Sequence, residues 1–148
     1  MLVNINKLHS DVITPTYATD GAACFDLHAH GLQDHGVELD SWDDGFVIGT
    51  GLVFEIPPGH VMKVFSRSGH GFKYGVRLSN CVGVIDSDYR GEVKIKLFMD
   101  DNCGPLVINN GDRIAQAMIV PVERVGFQEV ATLTETDRGT GGFGSTGS

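Results

Sequence analysis

The most constraining feature of this sequence is that its apolar residues occur in short runs, separated by glycine and proline. The chain has 148 residues, of which 20 are glycine and 5 are proline. No long window repeats apolar residues at i, i+3, i+4 and i+7, the spacing that an amphipathic helix requires. The sequence therefore predicts an all-β fold with many short strands and tight turns.

The predicted strands are runs rich in valine, isoleucine and phenylalanine, because such side chains suit a pleated, half-buried surface. They are Leu2–Ile5, Phe46–Ile48, Leu52–Ile56, Val61–Phe65, Val82–Ile85, Val93–Met99, Leu106–Ile108 and Ile114–Val122. Pro-Pro-Gly at 57–59 and Asn-Asn-Gly-Asp at 109–112 are predicted turns. A chain of this length suits one domain with a proper core, arranged as a sandwich, jelly roll or barrel.

The charge and the hydropathy pattern bear on partners and location. A formal charge of -8 at pH 7 disfavours a broad basic surface for duplex nucleic acid, but a small cationic pocket for a nucleotide needs only a few arginines. No apolar run approaches the roughly 20 residues that a membrane span requires. The N-terminal residues lack the regions of a signal peptide. We expect a cytoplasmic protein (in the host cytoplasm if viral) that binds neither nucleic acid nor membrane.

The cysteines and two histidines were considered as metal or disulfide sites. Cys24, Cys81 and Cys103 are widely spaced and include no Cys-x-x-Cys pair, so reduced thiols are expected. His28 and His30 would share one face of a strand, but no further ligand lies near them in the sequence. A metal pair there is the less favoured interpretation.

The stretch Asn80–Glu92 is the richest in chemical groups. An apolar strand leads to Asp86, then Tyr89 and Arg90 follow, and the alternating run Val93–Met99 comes next. This pattern predicts two strands joined by a turn, a hairpin that could offer a base, a stacking ring and a phosphate partner. An ordinary hairpin is the alternative, since aspartate, serine and glycine suit turns for local reasons.

Three further segments carry groups suited to phosphate. Arg67 can fork onto phosphate oxygens, Ser68 can donate its hydroxyl, and Gly69 allows its amide to approach closely. This segment lacks the G-K-[ST] of an ATP-binding P-loop. Gln116 opens a strand and offers both a donor and an acceptor. Asp26 lies within an apolar strand, where a carboxylate is either paired structurally or linked to a metal through water.

The last eleven residues, 138–148, form a glycine-rich tail that contains Arg138 and Phe143. So little apolar surface cannot offset the ordering entropy, so we expect residues 1–137 to form the domain and the tail to be mobile. A frayed terminus is the alternative, although the arginine and the ring suggest a ligand. The tail also contains a literal G-x-G-x-x-G, which no helix or βαβ unit accompanies, at Gly139, Gly141 and Gly144.

Taken in order, these segments resemble the five motifs of the trimeric dUTP diphosphatases, from about residue 22 to the C-terminus. The matching segments are Asp26 in its apolar strand, Arg67-Ser68-Gly69, Asn80 to Tyr89 with Gly83 and Asp86, Gly111 to Gln116, and Arg138 to Gly144. Two positions depart from the family pattern. Ala23 replaces a glycine and would be strained only at positive φ, and Ser66 replaces a proline, which predicts a slightly looser loop.

The resemblance implies a jelly-roll-like β sandwich assembled as a homotrimer, with three active sites at subunit interfaces. Each site would take residues from all three chains, and the third chain would lend its C-terminal tail. The implied reaction converts dUTP and water to dUMP and pyrophosphate with the help of Mg²⁺. This reaction limits uracil in DNA and supplies dUMP for thymidylate synthesis.

The resemblance also implies a role for each residue. Asp86 would orient and deprotonate the water that attacks the α-phosphorus. Tyr89 would lie under the deoxyribose and exclude a 2′-hydroxyl, while Asn80 and the backbone near Gly83 would read the uracil edge. The implied triphosphate contacts are Arg67, Ser68, Gly69, Gln116 and Arg138. Asp26 would contact Mg²⁺ through water, and the tail with Phe143 and Gly144 would close over the nucleotide.

Three neighbours of Asp86 are interpreted as structural. Asp88, Arg90 and Glu92 are expected to stabilise the hairpin and the subunit contacts and not to act directly in the reaction.

Two other functions stay open at this point. One is deamination of dCTP on the same fold, although that family does not share Asp86-x-x-Tyr89 or the Arg138 to Phe143 tail. The other is a regulatory binding protein without catalysis, which the intact Asp86 and the intact tail disfavour. Release of pyrophosphate or of ammonia would distinguish the two enzymes.

Overall fold

The computed structural model describes residues 1–40, 45–100 and 105–143. Within these ranges the chain forms eleven strands and one short helix. In chain order they are β1 (Asn4–Lys7), β2 (Phe25–His28), β3 (Val37–Leu39), β4 (Phe46–Gly49), β5 (Leu52–Glu55), β6 (His60–Phe65), α1 (Ser68–Tyr74), β7 (Val76–Leu78), β8 (Val82–Ile85), β9 (Lys94–Met99), β10 (Leu106–Ile108) and β11 (Arg113–Pro121). Cys103 and Gly144, on which predictions were made, lie outside the described residues.

The strands pair antiparallel in four small sheets. The largest has the order β2-β11-β6-β8, and a second has the order β4-β9-β7. Two further pairs are β1 with β5 and β3 with β10. Most neighbours in the sheets are distant in sequence, so the fold depends on long-range pairing. The nine-residue strand β11 lies between β2 and β6 and holds the largest sheet together.

One apolar core receives side chains from all four sheets. In β9 the residues alternate between exposed and buried, so that Ile95, Leu97 and Met99 enter the core. In β2, Phe25 and Leu27 do the same. Each large side chain buried in this way contributes roughly 1.5–3 kcal/mol to folding. The prediction of an all-β sandwich is confirmed.

The helix α1 was not predicted, because it is short and none of its residues is buried. It spans seven residues, too few to show a repeating apolar pattern, and no buried side chain marks one face. It ends at Gly75, whose φ of 61° lies in the left-handed region that glycine adopts without strain. The segment predicted as a loop after Arg67 is therefore the start of a helix.

The predicted hairpin at residues 80–92 is wrong. β8 pairs with β6 in one sheet, whereas β9 pairs with β4 and β7 in another. Residues 86–93, here called the crossover turn, therefore connect two sheets. The alternation of apolar residues predicted correctly which face of β9 is buried, but alternation carries no information about which strand is the partner.

The two predicted turns are confirmed by their hydrogen bonds. His60 N donates to the Pro57 carbonyl at 3.1 Å, and Asp112 N donates to the Asn109 carbonyl at 3.1 Å. In the described ranges no helix has the length and apolar character needed to cross a membrane.

Candidate active site

A cluster of charged side chains joins β2, β11 and the end of β6. Arg67 Nε lies 3.6 Å from Asp26 Oδ1, and Arg113 Nη1 lies 3.3 Å from Asp26 Oδ2. The pairing of β2 with β11 sets Asp26 opposite Gln116, so the sheet register brings these groups together. One carboxylate thus holds two guanidinium groups, which leaves the cluster with a net positive charge suited to an anion.

The segment before α1 is fixed by hydrogen bonds to both neighbouring strands. Ser66 Oγ accepts a hydrogen bond from Leu78 N at 2.9 Å, and the Ser66 carbonyl accepts one from Gln116 Nε2 at 2.9 Å. A proline at position 66 could not make the first contact, so the hydroxyl offsets the freedom that the missing ring allows. The Gln116 amide retains a second N–H beyond the one that holds Ser66.

Ser68 and Gly69 are exposed at the beginning of α1, beside the charged cluster. A Cβ atom added at Gly69 would meet nothing within 4 Å. Packing within the chain therefore does not require glycine at this position, and the space above its backbone is open to a ligand.

The sequence analysis missed Arg113 and His70 as members of this cluster. His70 Nε2 lies 3.2 Å from Arg67 Nη1. Burial, followed by the charge of Arg67, lowers the pKa of His70 below its usual range. Burial, followed by the charge of Arg113, also lowers the pKa of Arg67. Arg113 lay within the quoted Gly111 to Gln116 motif and could have been found there, whereas His70 gave no signal in the sequence.

The remaining predicted residues lie along β8, where two cavities share Val84 and Ile85. One, of about 330 Å³, is lined by Asn80 and Gly83 among others. The other, of about 250 Å³, is lined by Asp86 and Tyr89. The four residues of β8 span about 10 Å at roughly 3.3 Å per residue, a length suited to a nucleoside. A larger cavity, of about 410 Å³, is apolar and contains none of the predicted site residues.

The crossover turn holds Tyr89 and leaves Asp86 exposed. Tyr89 N donates to the Asp86 carbonyl at 3.2 Å, and the Tyr89 hydroxyl donates to the Glu92 carbonyl at 3.1 Å. Arg90 Nη1 donates to the carbonyls of Ser87 and Tyr89 at 2.8 and 2.9 Å. These contacts support the structural interpretation of Arg90. The carboxylate of Glu92 likewise accepts a hydrogen bond from a backbone amide, that of Gly51.

The turn before β8 carries an unusual backbone conformation. Cys81 has a φ of 63°, which is unfavourable for a residue other than glycine, and Val82 N donates to the Asn80 carbonyl at 2.7 Å. The Asn80 side chain is exposed. At Gly83 an added Cβ would lie 3.1 Å from Val64 Cβ, so the contact between β8 and β6 favours glycine. Ala23 is not among the positive-φ residues of the described ranges, so this departure brings no strain.

The described part of the tail forms a turn. Arg138 Nε donates to the Gly141 carbonyl at 2.9 Å, and Gly139 N donates to the Thr136 carbonyl at 3.0 Å. Phe143 is fully exposed. The predicted mobility of the tail stays a prediction.

The charged cluster and Asp86 lie at opposite ends of the paired strands β6 and β8. Ile85 is opposite Met62, and Val82 is opposite Phe65. Asp86 is therefore level with Val61, about 13 Å along β6 from Phe65, and Arg67 follows two residues later. The two halves of the predicted site are separate within one chain.

Comparison with known proteins decides the family. The dUTPase family profile matches residues 10–147. The chain belongs to the dUTPase family. It is 44% identical over 147 residues to the deoxyuridine 5′-triphosphate nucleotidohydrolase of Nautilia profundicola, with 99% of each chain covered. It is also 44% identical over 147 residues to that of Helicobacter hepaticus, covering 99% of this chain and 89% of the relative. The family predicted from the five motifs is confirmed.

Solved structures share the fold. The dUTPase of Staphylococcus bacteriophage 80alpha with dUPNHPP superposes with a TM-score of 0.82 at 24% identity, covering 99% of each chain. The dUTPase of phage phi11 of S. aureus, whose structure describes a structural Mg(II) ion, has a TM-score of 0.75 at 24% identity, covering 89% of this chain and 98% of the other.

Proposed function

We propose that this chain hydrolyses dUTP to dUMP and pyrophosphate. The observation that carries the proposal is the arrangement of Asp86 and Tyr89 in one cavity at the end of β8, in a chain of the dUTPase family. An exposed carboxylate beside an aromatic ring is what water attack next to a sugar requires. The reaction would limit uracil in DNA and supply dUMP for thymidylate synthesis, in the cytoplasm.

Asp86 acts as the general base. Its carboxylate is exposed in the cavity, so it can accept a hydrogen bond from a water molecule and take its proton. The water oxygen then forms a bond to the α-phosphorus, and the bond between this phosphorus and the oxygen that bridges to the β-phosphorus breaks. Pyrophosphate leaves with that oxygen. The chain needs to supply positioning and charge neutralisation, and no covalent intermediate is required.

The base and the sugar are selected along β8. The uracil edge would meet Asn80 and the backbone near Gly83 in the larger of the two cavities, where cytosine presents the opposite donor and acceptor pattern. The deoxyribose would lie on Tyr89, whose hydroxyl is held by the Glu92 carbonyl. A ring fixed in this way leaves no space for a 2′-hydroxyl.

The charged cluster binds the triphosphate. Arg67 and Arg113 provide the positive charge, Ser68 and Gly69 are exposed beside them, and Gln116 has an N–H to spare. Arg138, from the tail, would add a further guanidinium. Charge-assisted hydrogen bonds of this kind are the strong contacts in phosphate recognition.

Magnesium would arrive on the triphosphate. Among the described residues no group of three or more His, Cys, Asp or Glu side chains is placed to hold a metal ion. The Asp26 carboxylate is already paired with two guanidinium groups, so it fits a contact to Mg²⁺ through water and not direct ligation. Mg²⁺ retains most of its waters in such sites and neutralises charge on phosphate oxygens when bound.

The complete site is formed by a homotrimer. Asp86 and the charged cluster of one chain lie at opposite ends of the paired strands, so residues that contact one nucleotide must come from different copies. Residues 122–143 lie outside every strand and expose apolar side chains that a second copy would cover, among them Val125, Phe127 and Leu133. Sedimentation of the purified protein measures this assembly directly.

The tail, residues 138–148, closes over bound nucleotide from the third chain, while residues 1–137 form the β domain. In the described part of the tail, Phe143 contacts nothing and is available to stack on uracil. Gly144 and its neighbours would add backbone donors. Ordering the tail costs entropy, so closure requires ligand contacts.

The experiment that tests the proposal is pyrophosphate release from dUTP, UTP, dCTP and dTTP with Mg²⁺ present. We expect dUTP to be hydrolysed far faster than the other three. Ammonia release from dCTP would indicate the deaminase instead, and no turnover of any nucleotide would indicate a binding protein. Family membership does not favour either alternative.

A further inference from the structure

The guanidinium of Arg67 is oriented by three protein groups. Nε lies 3.6 Å from Asp26 Oδ1, and Nη1 donates to the Arg113 carbonyl at 3.0 Å and lies 3.2 Å from His70 Nε2. A guanidinium has five N–H bonds, and these partners occupy the one on Nε and both on Nη1. Among the described residues no hydrogen bond or ion pair involves Nη2, so its two N–H bonds are available to an anion.

The contact with His70 requires a neutral imidazole. A ring nitrogen that faces an N–H donor must offer its lone pair, so Nε2 is unprotonated and the proton lies on Nδ1. His70 Nδ1 is buried without a hydrogen-bond partner in the described chain. This unsatisfied atom is a cost that the fold carries, which calls for a compensating role for the ring.

The charges around the ring also favour the neutral form. Arg67 and Arg113 lower the pKa of His70 in addition to burial, and Asp112 opposes them to a smaller degree than Arg67. On β7, the strand that contacts α1, Arg77 is paired with Asp100 at 3.0 Å.

We propose that His70 is a positioning residue for triphosphate binding, which accepts a hydrogen bond from Arg67 and so directs Nη2 to a phosphate oxygen. The proposal rests on the proposed function, because it takes dUTP as the ligand of the charged cluster. Protonation of His70 at acid pH removes the acceptor and places a second cation against Arg67. The KM for dUTP should therefore rise at a pH below the ordinary histidine range.

The test compares His70→Gln and His70→Leu with the wild-type protein in dUTP hydrolysis, from about pH 5.5 to 8.5, on both sides of the ordinary histidine pKa of ~6.5. His60→Gln is the matched control, since His60 lies at the other end of β6 and contacts the Pro58 carbonyl. Titration of the substrate affects all four proteins alike, so differences between them report on the histidine.

We expect His70→Leu to raise the KM about 3- to 10-fold at neutral pH, the scale of one lost hydrogen bond, with kcat much less affected. Glutamine offers an acceptor that does not titrate, so His70→Gln should retain the wild-type KM at neutral pH and lose part of its rise at acid pH. His60→Gln should match the wild type throughout.

Two results would overturn the inference. One is a His70→Leu protein with wild-type KM and wild-type pH dependence, while the wild type hydrolyses dUTP. The other is a His70→Gln protein that keeps the full rise of KM at acid pH, and this result decides the matter even if the leucine variant does not fold. A wild type without dUTP hydrolysis would overturn the proposed function and this inference together.

Discussion

The ring of Tyr89 lies directly over the backbone of Gly91. A Cβ atom added at Gly91 would come within 2.5 Å of Tyr89 Cζ, a distance that real Cβ atoms do not reach. The Tyr89 hydroxyl is held at the same time by the Glu92 carbonyl at 3.1 Å. Glycine at position 91 is thus what allows the crossover turn to place the ring beside Asp86.

Gly91→Ala should displace the Tyr89 ring and narrow the preference for dUTP over UTP. Because the turn must also shift, we expect a loss of about 1–3 kcal/mol in the free energy of unfolding, the usual cost of overpacking. Gly126→Ala is the control, since an added Cβ there meets nothing within 4 Å. The measurements are kcat/KM for both nucleotides and the melting temperature. An unchanged dUTP preference would show that the ring position does not matter.

Tyr89→Ala should narrow the preference for dUTP over UTP still further, because the surface under the sugar disappears. Tyr89→Phe keeps the ring and loses only the hydrogen bond to Glu92, worth about 0.5–1.5 kcal/mol, so its selectivity should stay near that of the wild type. If Tyr89→Ala lowers activity on both substrates in equal proportion, Tyr89 only supports the turn.

Asp26→Asn should weaken dUTP binding and lower stability. Without the carboxylate, Arg67 and Arg113 lose the charge that keeps them together, and the pair is half-buried, so we expect a loss of about 1–3 kcal/mol in stability. Asp100→Asn is the control, since its ion pair with Arg77 is exposed and worth at most about 1 kcal/mol. KM for dUTP and the melting temperature are the readouts. Equal effects of both variants would remove Asp26 from the site.

Phe143→Ala should lower kcat/KM about 5- to 150-fold, because base–aromatic stacking contributes about 1–3 kcal/mol. Deleting everything after Asp137 should lower it further, since Arg138 and the backbone donors are lost as well. Phe143 is fully exposed, so neither change should alter the melting temperature or the sedimentation much. Full turnover by the truncated protein would contradict the closing tail, and loss of assembly would make the tail structural.

The sequence predicted which segments are strands better than it predicted their partners. Val82–Ile85 and Leu106–Ile108 form β8 and β10 with the predicted bounds. The hairpin was wrong because apolar alternation in β9 specifies the buried face, while the pairing with β4 and β7 depends on residues distant in sequence. Helix α1 escaped prediction because it buries no side chain and so leaves no periodic pattern.

The site was predictable where a motif placed its residues, and not where the fold brought separate segments together. Asp86 and Tyr89 are three residues apart and line one cavity, as their spacing suggested. His70 contacts Arg67 only because α1 begins directly after that arginine, and the helix was not foreseen. The pairing of Asp26 with both Arg67 and Arg113 likewise follows from the register of β2 on β11, which the sequence does not reveal.

The most direct test of the account is pyrophosphate release from dUTP by Asp86→Asn beside Asp88→Asn. Both aspartates are exposed in the crossover turn, so the two substitutions make the same change of charge two residues apart. We predict that Asp86→Asn folds and binds the nucleotide while kcat falls by roughly 10² or more, the scale of losing a general base. Asp88→Asn should stay within a few-fold of the wild type. Near-normal turnover by Asp86→Asn, or an equal loss in both variants, would contradict the assignment of Asp86 as the base.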